Sequence, residues 1–292
     1  VKDSVASFFK KNDLSSVISV SQDDNTQYCM CDACSEIDEK EGSPAGSMIY
    51  FVNKIAKSFP EKTISTLAYQ YTRKPPITKP ESNVLITLCS IECDRSIPIS
   101  EGCIDFQNDL KGWSKLTENI RIWDYTTQFT NFLAPFPNWA TIKPNINLFV
   151  ENNAKWIFEQ HSNNPSELFE LRSYLMAKLL WNSDLDVNMI IKDFTDGYYG
   201  LGGVFIAKYI DEIQFQLNEA KPFFLFLYGD PSQAFDSYLS PKNLTYYDDL
   251  FVQALASVSK QSDYYIRIER ARLSIDLLYL KLIERISLHN IL

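Results

Sequence analysis

Five short apolar segments, residues 17–20, 64–68, 84–88, 120–123 and 156–158, punctuate the first 160 positions, and each runs out into polar or turn residues. Segments of that length read as strands buried on both faces. Between the first two, Met48, Phe51, Val52, Ile55 and Phe59 recur at helical spacing, so residues 47–59 read as a crossover helix. Residues 105–116 and 145–152 fit shorter helices or loops. Strands alternating with helical connections form a parallel sheet, in a (β/α) barrel or a doubly wound fold.

A closed barrel needs eight strands and only five can be counted, while residues 1–10 open the chain on a helical pattern. The numbering is therefore expected to begin inside a barrel, with N-terminal truncation as the simplest cause. Val1-Lys2-Asp3 carries neither an initiator Met nor a signal peptide, so either a targeting segment has been removed or the chain is a fragment of a longer one.

Beyond residue 160 the pattern turns helical. In residues 166–181, Leu168, Leu171, Tyr174, Leu175, Leu179 and Leu180 share one face, and further helices are expected over 187–194, 204–217, 248–259 and 263–288. The apolar run 223–228 is a strand or a buried loop, and Gly200-Leu201-Gly202-Gly203 follows a helix and reads as a helix break. The expected division is residues 1–160 as barrel units and 161–292 as a helical region.

Charge and hydropathy exclude several classes of partner. The formal net charge is −9, with no basic run, which argues against nucleic acid. No stretch approaches the ~18 apolar residues of a membrane-spanning helix. Aromatic residues make up 14% of the chain, including 16 Tyr and 19 Phe, a supply that suits both a deep core and surfaces that stack on sugars.

In parallel α/β folds the loops at the C-terminal ends of the strands build the site. Here those ends read Ser21-Gln22-Asp23-Asp24, Tyr69-Gln70-Tyr71, Glu92-Cys93-Asp94, Trp123-Asp124-Tyr125 and Glu159-Gln160-His161. Glycosidic-bond hydrolysis needs one carboxylic acid to protonate the leaving oxygen and a second carboxylate as nucleophile or base. The catalytic candidates are Asp23, Asp24, Glu92, Asp124 and Glu159. Tyr69, Tyr71, Asp94, Trp123, Tyr125 and Gln160 are the candidates for sugar binding. Residues 134–139, Ala-Pro-Phe-Pro-Asn-Trp, read as a rigid loop presenting rings near the fourth strand end. The competing reading is structural, because strand-end carboxylates also cap helices or pair with Arg and Lys.

Cys29, Cys31 and Cys34 form a C-x-C-x-x-C motif just past the first strand. Three thiolates at that spacing can share a structural zinc, with Cys89, Cys93 or Cys103 as a fourth ligand. A Cys29–Cys34 disulfide and plain buried thiols are the alternatives. No cofactor is otherwise required.

Several of these stretches together resemble a bacterial family known as domain of unknown function 4838. They are Ser19 through Asp24 with the Cys29/Cys31/Cys34 motif, Leu67 through Tyr71 with Pro75-Pro76, Ile91 through Asp94, Ile122 through Tyr125, Pro135 through Asn138, Phe158 through Gln160, Glu170 through Leu175 and Asp196 through Gly200. The resemblance spans about residues 1–210. It implies kinship with barrel glycoside hydrolases such as β-N-acetylhexosaminidases and α-glucuronidases, hence a TIM-type (β/α) barrel lacking its first strands in this chain, followed by a mainly helical region. It also implies a periplasmic or extracellular bacterial setting and a glycan or oligosaccharide as partner. Hexosaminidases carry an acidic pair after the fourth barrel strand, and Asp23-Asp24 stands in a comparable place, with Asp-Asp where they have Asp-Glu. The resemblance thus implies Asp24 as general acid and Asp23 as its orienting partner. A non-catalytic glycan-binding barrel is the rival expectation.

Overall fold

The computed structural model describes residues 1–162 and 165–289. Five strands, β1 (Val17–Ser19), β2 (Thr63–Ala68), β3 (Val84–Cys89), β4 (Ile120–Tyr125) and β5 (Ala154–Gln160), lie in one sheet in sequence order. β1 through β4 pair in parallel, with Ile18 opposite Ile64, Ile64 opposite Val84 and Ile86 opposite Ile120. Helix α1 (Lys2–Lys11) precedes β1. Helices α2 (Asp32–Glu41) and α3 (Ala45–Ala56) connect β1 to β2, and a 3-10 turn, Gln70–Thr72, follows β2. Helices α4 (Ile99–Gly102) and α5 (Ile104–Leu116) connect β3 to β4, and α6 (Trp139–Glu151) leads into β5.

Residues 105–116 are thus helical, and the helix expected within 145–152 begins earlier, at Trp139. Helix α2 carries almost no apolar face, so periodicity does not reveal it. Its signals are Asp32 in the first turn, Lys40 in the last, and Gly42 at φ 68° closing it with bonds to Asp38 and Glu39.

The chain divides into two compact units. The first comprises Val1–Glu92, Cys103–Asp124 and Asn147–Phe158. One face of its sheet is dry: Ile64, Val84, Ile86, Leu88, Ile120 and Ile122 are fully buried, as are Val52 and Ala56 of α3 and Phe106 and Leu110 of α5. The opposite face is polar and aromatic. Arg121 donates to the Thr87 hydroxyl at 3.0 Å and the Ser65 hydroxyl at 3.3 Å, and the Trp123 ring meets Phe158 edge-on at 5.2 Å. Apolar side chains on the outer strands stay exposed, Val17 on β1 and Trp156 and Phe158 on β5.

The second unit comprises Cys93–Gly102, Tyr125–Ile146 and Glu159–Leu292. It holds the helices α7 (Phe169–Trp181), α8 (Val187–Tyr199), α9 (Gly203–Glu219), α10 (Pro241–Ala256) and α11 (Asp263–His289). The glycine run does break a helix. Gly200 adopts φ 59°, and a Cβ on Gly203 would lie 2.3 Å from the Thr195 carbonyl.

Two expectations need correction here. Phe136 and Trp139 are each 2% exposed, so the proline-rich loop packs its rings inward instead of presenting them. The Trp139 ring lies 4.1 Å from the Arg172 guanidinium, which pairs with buried Glu167 at 3.0 Å. The run 223–228 forms neither a strand nor a buried loop. Leu225 and Leu227 are buried while Phe224, Phe226 and Tyr228 alternate outward.

Candidate functional site

The loop leaving β1 is stitched to the turn leaving β2. Gln22 donates through its amide to the Tyr69 carbonyl at 3.2 Å and the Thr72 hydroxyl at 2.7 Å. Thr72 in turn donates to the Leu67 and Tyr69 carbonyls and accepts from the Tyr69 N–H, which fixes the Gln70–Thr72 turn. The Tyr28 ring stacks on Tyr71 at 5.0 Å and ties down the far end of the same loop. These contacts follow from the sequence: a short β1 ends in polar residues with no helix until Asp32, so side chains must anchor the loop.

Asp23 and Asp24 sit on that loop, both exposed. The Gln70 amide reaches Asp24 Oδ1 at 3.5 Å. Burial pushes the Tyr69 hydroxyl above its usual pKa; Gln70 opposes the shift, and the charge of Asp24 adds to it. Burial likewise raises Tyr71, with the charges of Asp23 and Asp38 contributing. Gln70 adopts φ 51°, a left-handed conformation that costs a non-glycine residue about 1–2 kcal/mol. Strain of that size, beside an exposed acid pair and two tyrosines, marks this corner as the candidate site. Four of the sequence-derived residues, Asp23, Asp24, Tyr69 and Tyr71, gather there.

The other candidates are placed differently. Glu92 pairs with Arg73 at 3.0 Å, and the same guanidinium holds Asp109 at 2.7 Å. Asp94 Oδ1 accepts the Ser96 and Leu225 N–H groups, and its Oδ2 accepts the Ser96 hydroxyl. Asp124 is 3% exposed and accepts a hydrogen bond from the Ser90 hydroxyl. Trp123 lies on the polar sheet face of the first unit. Tyr125 belongs to the second unit, buried under Arg95 at 5.9 Å and Phe129 at 6.1 Å. Glu159 and Gln160 also fall in the second unit, half-buried, with the Gln160 carbonyl accepting both the N–H and the hydroxyl of Thr126. Sequence reasoning missed Gln22, Gln70 and Arg73. The first two were visible as amide residues inside the strand-end runs.

The cysteine motif lies on the same β1 loop. Cys29, Cys31 and Cys34 place their sulfurs within 4.8 Å of one another, with Cys29 to Cys31 at 3.4 Å, and these residues can hold a metal ion. Cys31 stands at the start of α2 and its carbonyl accepts the Ser35 N–H. The Cys34 backbone N–H, then the Cys29 thiol, hold the Cys31 thiol below its usual pKa. Hydrogen bonding with Cys29 and Cys31 pushes the Cys34 thiol up to about 12. Cys93 and Cys103 are disulfide-bonded and do not serve as a fourth ligand. Cys29, Cys31 and Cys34 form no disulfide in the structure.

Comparison with known proteins identifies a family. The model of a domain of unknown function, DUF4838, matches residues 1–211 of the 292, and the chain belongs to that family. No curated protein matches the sequence.

Proposed function

We propose that this member of the DUF4838 family acts on glycans as a glycoside hydrolase, with Asp24 as general acid and Asp23 as its orienting partner. The observation that carries the reading is the exposed Asp23–Asp24 pair beside Tyr69, Tyr71 and a strained Gln70, at the C-terminal end of parallel strands. Active sites of parallel α/β enzymes lie at that end. Tyrosine rings beside the acid pair are suited to cover sugar faces.

The five strands form an arc of a TIM-type barrel under this reading. One sheet face is sealed by helices while the other carries Ser65, Thr87, Arg121 and Trp123, as the lining of a barrel would. Exposed Val17, Trp156 and Phe158 on the outer strands support the same view. The disulfide-bonded Cys93 and Cys103 support a periplasmic or extracellular setting.

A glycan-binding role without hydrolysis is the second reading. It is favoured by the engagement of Glu92 with Arg73, of Asp94 with Ser96 and Leu225, and by the burial of Asp124. The test is a panel of N-acetylhexosaminides and glucuronides assayed for both binding and turnover. Hydrolysis reduced about 10²–10⁴-fold in Asp24→Asn supports the first reading. Retained turnover in that variant sinks the assignment of Asp24. Binding without turnover, unchanged in Asp24→Asn, establishes the second reading.

A further inference from the structure

We propose that Cys29, Cys31 and Cys34 bind one zinc ion through three thiolates, with an exchangeable fourth position. Zinc–sulfur bonds of ~2.3 Å at tetrahedral angles put ligand sulfurs about 3.8 Å apart. The three sulfurs here lie within 4.8 Å of one another, with Cys29 and Cys31 at 3.4 Å, so side-chain shifts of about an ångström or less would close the site. The backbone is already set. Cys31 is the residue that opens α2 and Cys34 lies in its first turn, while Tyr28, next to Cys29, is pinned on Tyr71. Among the described residues, no other His, Cys, Asp or Glu joins the three within ligand distance, which leaves the fourth position to water.

Chemistry favours the metal over three bare thiols. Cys29 and Cys31 are exposed, in a chain whose Cys93 and Cys103 are oxidised to a disulfide. Clustered exposed thiols under oxidising conditions pair off, and one is left reactive. A zinc ion satisfies all three at once and is itself redox-inert. It would also fix the β1 loop that carries Asp23 and Asp24, without depending on what those acids do.

The experiment loads the reduced chain with zinc, and separately with cobalt, after chelator treatment. About one zinc per chain is expected by metal analysis. Cobalt should give thiolate charge-transfer bands and intense tetrahedral d–d bands, and the d–d bands should shift on adding imidazole. Cys31→Ser should lose metal and bands while keeping its far-ultraviolet circular dichroism, and Cys89→Ala should retain both. The proposal is overturned if the reduced wild-type chain takes up no metal, if Cys31→Ser binds it as well as wild type, or if the three residues are found as a disulfide plus a free thiol. Cobalt bands indifferent to imidazole would overturn the exchangeable fourth position. Hydrolytic activity plays no part in these readouts, so they stand apart from the fate of the glycan reading.

Discussion

The loop after β1 and the loop after β3 read alike in sequence, each a strand end with two carboxylates, yet their carboxylates meet different surroundings. Glu92 and Asp94 are engaged: one by Arg73, the other by two backbone N–H groups and a hydroxyl. Asp23 and Asp24 stay exposed, with the Gln70 amide 3.5 Å from Asp24 and the Tyr69 hydroxyl also set against that carboxylate. A carboxylate at a strand end therefore carries no function by position alone. Whether a cation or a row of N–H groups folds against it decides between strut and reagent.

The sharpest way to break that contrast is to remove an engaging cation. Arg73→Leu leaves buried Asp109 without its 2.7 Å partner and frees Glu92. Urea denaturation should report a loss of about 2–4 kcal/mol. A loss within experimental error would mean the Arg73 pair is a surface ornament and Glu92 belongs with the open acids.

Glu41 tests the same class of acid by pH. It is 8% exposed and accepts the Ile77 N–H at 2.8 Å and the N–H and hydroxyl of Thr78, each at 2.7 Å. Burial pushes its carboxyl up, but the Thr78 hydroxyl and the two N–H groups outweigh it and hold the pKa below the ordinary value. A folded-state pKa below the unfolded one contributes stability that is complete above about pH 4.5 and lost as pH falls through the folded value. Glu41→Gln should cost about 1–2 kcal/mol at neutral pH and flatten the acid limb of the stability curve. An unchanged acid limb would show that Glu41 is not held as an anion.

Asp124 and Asp24 form a matched pair of acid-to-amide tests. Asp124→Asn weakens a buried acceptor of the Ser90 hydroxyl and should cost about 1–2 kcal/mol. Asp24→Asn should stay within about 0.5 kcal/mol of wild type, as exposed positions do. Equal losses in chemical denaturation would erase the distinction.

The smallest effect concerns Gln70. Gln70→Gly relieves the left-handed conformation and should raise stability by about 0.5 kcal/mol while weakening glycan binding. A stability gain with binding intact would show that the strain serves the turn and not the ligand.

The sequence by itself determined the strands and most helices, because buried strands and amphipathic helices are written in local hydrophobic spacing. All five strands lie where their apolar segments stand, and the glycine run at 200–203 breaks its helix. It also determined family membership and the cluster of three cysteines, since six adjacent residues cannot scatter their side chains far. Local spacing failed where there was no apolar stripe to read, as in α2. It failed again where an aromatic loop looked like a display and proved to be core, as at Phe136 and Trp139. Only the tertiary structure decided which acids are engaged. Arg73 lies 36 positions from Asp109 and Leu225 lies 131 from Asp94, and long-range partners of that kind leave no mark in the spacing around a carboxylate.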